Sequence, residues 1–113
     1  MLIQTELVLR QHLEGAAIGV DAVMADYVDA SVLITHDTTY RGPAEIRRFF
    51  TELLNGPTRG FLGSFKMIRQ EIVDDVAYIL WEARPWFGRA TDTFVVRNGK
   101  ILAQTFSACL PKE

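Results

Sequence analysis

The chain has 113 residues, of which 49% are hydrophobic and 23% charged, a composition that fits one globular domain and excludes a disordered chain. Twelve Lys and Arg against 14 Asp and Glu leave a net charge of −2, with no basic excess for nucleic acid or an anionic membrane. The lone cysteine, Cys109, excludes an internal disulfide, and no apolar run approaches the ~20 residues of a membrane helix or reads as a signal peptide. A single domain over residues 1–113, in the reducing cytoplasm and held together by packing, is expected.

The first element reads as a helix, with Leu2, Leu9, Leu13 and Ala16 on one face and Ile3 and Leu7 widening it. Gly15 and Gly19 bracket a break. Val20, Val23, Met24 and Tyr27, at i, i+3, i+4 and i+7, predict a second helix. Residues 30–36 change to period two. Val32, Ile34 and His36 share one strand face, read as inward, and Ser31, Leu33 and Thr35 share the other. Residues 38–41 are a short extended piece. Gly42 and Pro43 open a third helix carrying Ile46, Phe49, Phe50, Leu53 and Leu54, and Asn55-Gly56-Pro57 stops it. Residues 55–63 form a glycine-rich loop. Strands follow over about 64–73, 76–86, 90–97 and 100–109, with Asp74-Asp75 and Asn98-Gly99 between them. Asn-Gly is a strong hairpin signal because both residues tolerate positive φ.

This order predicts an α+β fold, a cone with three N-terminal helices packed on one face of a curved, mostly antiparallel sheet. Both faces of the meander are apolar, with Val76, Tyr78 and Leu80 on one side of a strand and Ala77, Ile79 and Trp81 on the other. Helices can cover only one face. The other, with Val95 and Leu102, is expected to meet a second copy in a homodimer.

Asp92 shares a strand face with Phe94 and Val96, the apolar face expected under the helices. A carboxylate there loses water, which raises its pKa toward the range of a neutral-pH acid or base. The plain alternative is a frayed strand start where Asp92 pairs with Arg84 or Arg89 in water. His36, read as inward, is placed to relay a proton with Asp92. Its alternative is a structural histidine bonded to Asp37 or a backbone carbonyl. Tyr40, Trp81, Trp86 and Phe94 are expected to line an apolar ligand site with polar handles, though core or interface packing is the better account of Trp81. His12 is read as surface and Cys109 as a buried structural thiol. No C-x-x-C or H-E-x-x-H supplies a metal site, and no glycine-rich nucleotide cradle or G-x-S-x-G occurs.

Three stretches carry a family likeness: Tyr27-Val-Asp-Ala-Ser-Val32 with Tyr40-Arg-Gly42, Ile46-Arg-Arg-Phe-Phe50, and the closing Asp92-Thr-Phe-Val-Val-Arg-Asn-Gly-Lys-Ile101. Together with the element order they resemble the nuclear transport factor 2-like superfold, which includes ketosteroid isomerase, the SnoaL-like polyketide cyclases and limonene epoxide hydrolase. The resemblance implies a small-molecule pocket inside the cone, with no cofactor and no metal. In ketosteroid isomerase an acid two residues before a phenylalanine sits in the oxyanion hole, and Asp92 before Phe94 holds that place here. The isomerase's general base falls at Ile34, and its helix-one tyrosine falls near Arg10 or Gln11, so its mechanism is disfavoured. The epoxide hydrolase's arginine and two aspartates leave Arg89 and Asp92 without a second aspartate in residues 103–107.

Two functions follow from the resemblance. One is cofactor-free acid/base chemistry (isomerase, cyclase or hydrolase) on a small apolar organic ligand, with Asp92 exchanging the proton, His36 assisting, and Tyr40 and Trp86 positioning. The other is a non-catalytic ligand-binding or dimerisation module with a vestigial pocket, since this fold hosts many unrelated activities. An open cavity reaching both Asp92 and His36 favours the first. A pocket plugged by Trp81, Phe65 and Met67 favours the second.

Overall fold

The computed structural model describes residues 3–110. Helix α1 (Gln4–Ile18) buries Thr5, Val8, Leu9, His12 and Gly15, which recur at the three- and four-residue spacing of one helical face. Leu9, Leu13 and Ala16 of the expected stripe do face the core, but it widens to Val8 and His12 rather than to Ile3 and Leu7, which are exposed; Leu2 lies outside the described residues. Gly15 does not break the helix. It lets α1 close on α2 (Val20–Met24), where a Cβ would sit 3.3 Å from the Ala22 carbonyl. The break comes at Gly19, whose φ of 148° favours glycine.

Tyr27 does not continue α2. It opens strand β1 (Tyr27–Ile34) and pairs with Ile101 of β6 (Lys100–Cys109) in a parallel ladder. The short β2 (Thr39–Arg41) pairs with the far end of β1. Helix α3 (Gly42–Asn55) then buries Ile46 and Phe50 and ends at Gly56-Pro57. A 3-10 turn, Phe61–Ser64, leads into β3 (Lys66–Val73), β4 (Val76–Ala83), β5 (Phe87–Arg97) and β6. The six strands run in the order β2-β1-β6-β5-β4-β3, antiparallel except for β1 against β6. Asn98 and Gly99 both take positive φ, 52° and 77°, as the β5–β6 turn requires. Among the described residues no helix is long and apolar enough to cross a membrane.

β1 carries a bulge that decides which way its residues face. Tyr27 pairs with Ile101 and Val32 with Ala103, so the intervening residues of β1 have no matching partners in the ladder. Ser31 holds the bulge, since its Oγ accepts from the Val28 N–H and donates to the Ile101 carbonyl. Beyond it Leu33 is fully buried while Ile34 is 44% exposed. The inward residues are thus Ser31 and Leu33, and the expected inward set of Val32, Ile34 and His36 is corrected. Alternation assigns residues to two faces. It cannot say which face the helices cover when both are apolar.

Candidate functional site

The covered face of the sheet presents Ala77, Ile79 and Trp81 from β4 and Asp92 and Phe94 from β5, with Gln104 from β6, all buried. Asp92 lies directly opposite Ile79 and Phe106 in the ladder, so Trp81 and Gln104 are its diagonal neighbours on the two flanking strands. Both reach it. Trp81 Nε1 donates to Asp92 Oδ1 at 2.8 Å and Gln104 Nε2 donates to Oδ2 at 2.9 Å. The Tyr27 hydroxyl donates to Gln104 Oε1, so one chain of hydrogen bonds runs from Tyr27 through Gln104 and Asp92 to Trp81.

Burial pushes the Asp92 carboxyl above its ordinary range, and the bonds from Trp81 and Gln104 act against that rise. Burial, then the charges of Asp92 and Asp26, holds the Tyr27 phenol well above its ordinary value, so it stays a donor. The solvated alternative for Asp92 does not hold. Arg84 pairs with Glu82 at 3.1 Å, and Arg89 is exposed.

Two chambers lie between helices and sheet. The inner one, about 50 Å³, is bounded by His12, Phe50, Trp81, Asp92, Phe94 and Gln104, among others. The outer one, about 340 Å³, lies where α3 and the residues after it face β2 and the end of β6. Tyr40, Phe49, Leu53, Phe87 and Phe106 wall it, and the exposed His36, Asp37, Glu52 and Cys109 rim it. Phe49, Leu53 and Phe106 line both chambers, so these half-buried side chains form the partition.

The expected site residues divide between these places. Asp92, Trp81 and Phe94 line the inner chamber, and Tyr40 and His36 the outer. The inward placement of His36 is corrected, because its side chain is 75% exposed and its Nε2 lies 3.7 Å from Asp37 Oδ2. Bonds from the Thr35 and Thr38 hydroxyls, then His36, lower the Asp37 pKa. Among the described residues no single cavity reaches both His36 and Asp92, so the expected relay is not assembled. Trp86 lines neither chamber; its ring lies against Gly60, where a Cβ would sit 3.5 Å away. Cys109 is exposed rather than buried. Trp81 and Phe65 do crowd the inner chamber, as a plugged pocket requires, while Met67 does not line it.

Sequence reasoning missed three buried polar residues around Asp92. His12, read as surface, is 5% exposed and follows Val8 and Leu9 at the four- and three-residue spacing that marks their face. Tyr27 was hidden by a helical period that runs through a strand start. Gln104 alternates with Phe106 on β6, and no apolar pattern marks a glutamine.

No protein-family model matches the chain, and no curated protein matches it in sequence. Solved structures do match in shape. An NTF-2 like protein of unknown function from Burkholderia xenovorans is 16% identical, with 97% of this chain and 86% of that one covered and a TM-score of 0.76. A SnoaL-like protein of unknown function from Burkholderia thailandensis is 14% identical over 94% and 95%, with a TM-score of 0.76. An LEH-like epoxide hydrolase of M. tuberculosis is 15% identical over 94% and 83%, with a TM-score of 0.65. The expected nuclear transport factor 2-like, SnoaL-like fold is therefore the fold this chain has.

Proposed function

We propose that this protein binds a small, largely apolar organic molecule in the outer chamber. The observation that carries this is the cavity itself, about 340 Å³ walled by Tyr40, Phe49, Phe87 and Phe106 with a few polar groups such as Thr35 and Thr58 among them. That volume falls in the ~300–1,000 Å³ range of small-molecule sites, and apolar walls with a few polar groups are their usual lining. The test is a panel of small apolar compounds read by ligand-observed NMR against the wild type and Phe87→Trp, which fills the cavity. Binding to the wild type and its loss in the variant supports the proposal. Equal signals from both proteins, or none from either, overturn it.

Acid/base turnover at Asp92, of isomerase, cyclase or hydrolase type, is the second reading. The raised pKa and deep burial of Asp92 favour it. Here a ligand group must pass Phe49 and Phe106 to meet the carboxyl, and His36 plays no part. Asp92→Asn should then abolish turnover and leave binding in the outer chamber intact. The likeness to solved structures supports the fold of either reading and no particular reaction.

The uncovered sheet face supports a homodimer. Val32, Ala103, Val95 and Val76 are ladder partners across four strands and Thr105, Thr93 and Tyr78 form the next row, an uncharged centre with Arg41 and Glu71 paired at the edges of these rows. The single free thiol and absence of a disulfide support a cytoplasmic setting.

A further inference from the structure

Two atoms in the core have no hydrogen-bond partner among the described residues, His12 Nδ1 and Asp26 Oδ2. They face each other at 3.5 Å, and both side chains are nine-tenths buried or more. A buried polar atom left unpaired loses its water without gaining a partner, which is costly. A small closure of this gap gives each its only available partner among the described residues, with the proton on Nδ1 and the carboxylate as acceptor. Three aromatic rings fix the imidazole plane, with centroids at 6.1 Å (Tyr27), 5.7 Å (Phe50) and 5.2 Å (Phe94), two of them meeting it at 67° and 77°. A ring held by Asp26 on one nitrogen has Nε2 left over, and the ring lines the inner chamber with Asp92 and Gln104. Trp81 Nε1 and one Gln104 N–H already point at Asp92, and the Tyr27 hydroxyl points at Gln104. His12 Nε2 is left as an acceptor beside them.

We infer that the His12–Asp26 pair makes the inner chamber a receptor for one hydroxyl group, donated by the ligand to His12 Nε2 while the ligand's apolar body occupies the outer chamber. The inference rests on ligand binding in the outer chamber and adds the ligand's class, a small apolar alcohol. The inner volume of about 50 Å³ takes one such group and not a whole molecule. The partition between the chambers is three half-buried side chains, Phe49, Leu53 and Phe106, and no backbone segment has to move for the hydroxyl to pass. An ether or hydrocarbon of the same shape offers no proton to Nε2 and leaves that acceptor unpaired, which is how buried polar groups discriminate between near-isosteres.

The test titrates cyclohexanol, its methyl ether and cyclohexane into the intact protein, read by chemical-shift changes. Cyclohexanol should bind at least tenfold more tightly than the other two, and the preference should vanish in His12→Phe while cyclohexane binding persists. Equal affinity for all three overturns the hydroxyl receptor and leaves the binding proposal standing; no binding of any of them overturns both. A second readout needs no variant that must fold. The ring nitrogens of His12 in the wild type should show the Nδ1–H tautomer, with Nε2 shifting when cyclohexanol is added. An Nε2–H tautomer overturns the inference.

Discussion

Gln104 and Asp92 are locked amide to carboxylate at 2.9 Å, two polar side chains from neighbouring strands in the middle of an apolar face. The glutamine is a coupler, since its carbonyl takes the Tyr27 hydroxyl from 77 residues away in sequence while its amide serves Asp92. Gln104→Leu preserves shape and removes both functions. It leaves the Tyr27 hydroxyl and one Asp92 oxygen without partners, so about 2–4 kcal/mol should be lost by urea unfolding. A loss under about 1 kcal/mol would mean that water replaces the amide.

Asp92→Asn separates charge from shape. In the native state the carboxyl titrates above its unfolded value of roughly 4. Between those two values the folded protein holds a proton the unfolded chain has lost. The contribution of Asp92 to stability is therefore greatest below the unfolded pKa, declines as pH rises through the window, and stays at its lowest above the folded pKa. The substituted amide can keep the network by reversing it, accepting from Trp81 and donating to a flipped Gln104 amide. The variant should match or exceed wild-type stability at pH 7 and lose this decline, in denaturant melts from pH 3 to 8. A wild type whose stability rises with pH across that window, with the rise lost in the variant, would show that the donors outweigh burial.

Phe49 and Phe50 are adjacent in α3 yet should respond differently to truncation. Phe50 is 4% exposed and packs edge-on to His12, whereas Phe49 is half-buried in the partition. Phe50→Ala should cost ~3–5 kcal/mol and Phe49→Ala about half as much. Phe49→Ala also removes part of the wall between the chambers, so it should speed ligand exchange. Equal stability losses in both variants would place Phe49 in the core proper.

Val95 stands in the uncharged centre of the outer rows, paired with Val76 and Ala103. If two copies meet there, Val95→Glu places two like charges in a dry interface and should convert dimer to monomer in sedimentation equilibrium at micromolar concentration. Wild-type protein that sediments as a monomer removes the dimer proposal.

Much of this protein is settled locally. The Gly42-Pro43 start and Gly56-Pro57 stop bound α3, the Asn98-Gly99 pair makes a hairpin by conformational preference alone, and the alternation through Asp92, Phe94 and Val96 puts that carboxylate on an apolar face. Those are short-range effects of backbone sterics and period, and they suffice for the element order and for Asp92. The partners of Asp92 are another matter. Trp81, Gln104 and Tyr27 come from three other strands, and only pairing registers bring them together. The face of β1 is likewise decided by the Ser31 bulge and by which side the helices cover, so His36 falls outside and Leu33 inside. His12 becomes a core residue because the buried stripe of α1 widens to the side of Val8 rather than to Ile3 and Leu7. In each case two faces of similar hydrophobicity were available, and the choice belongs to long-range packing, which minimises exposed apolar area over the whole domain at once.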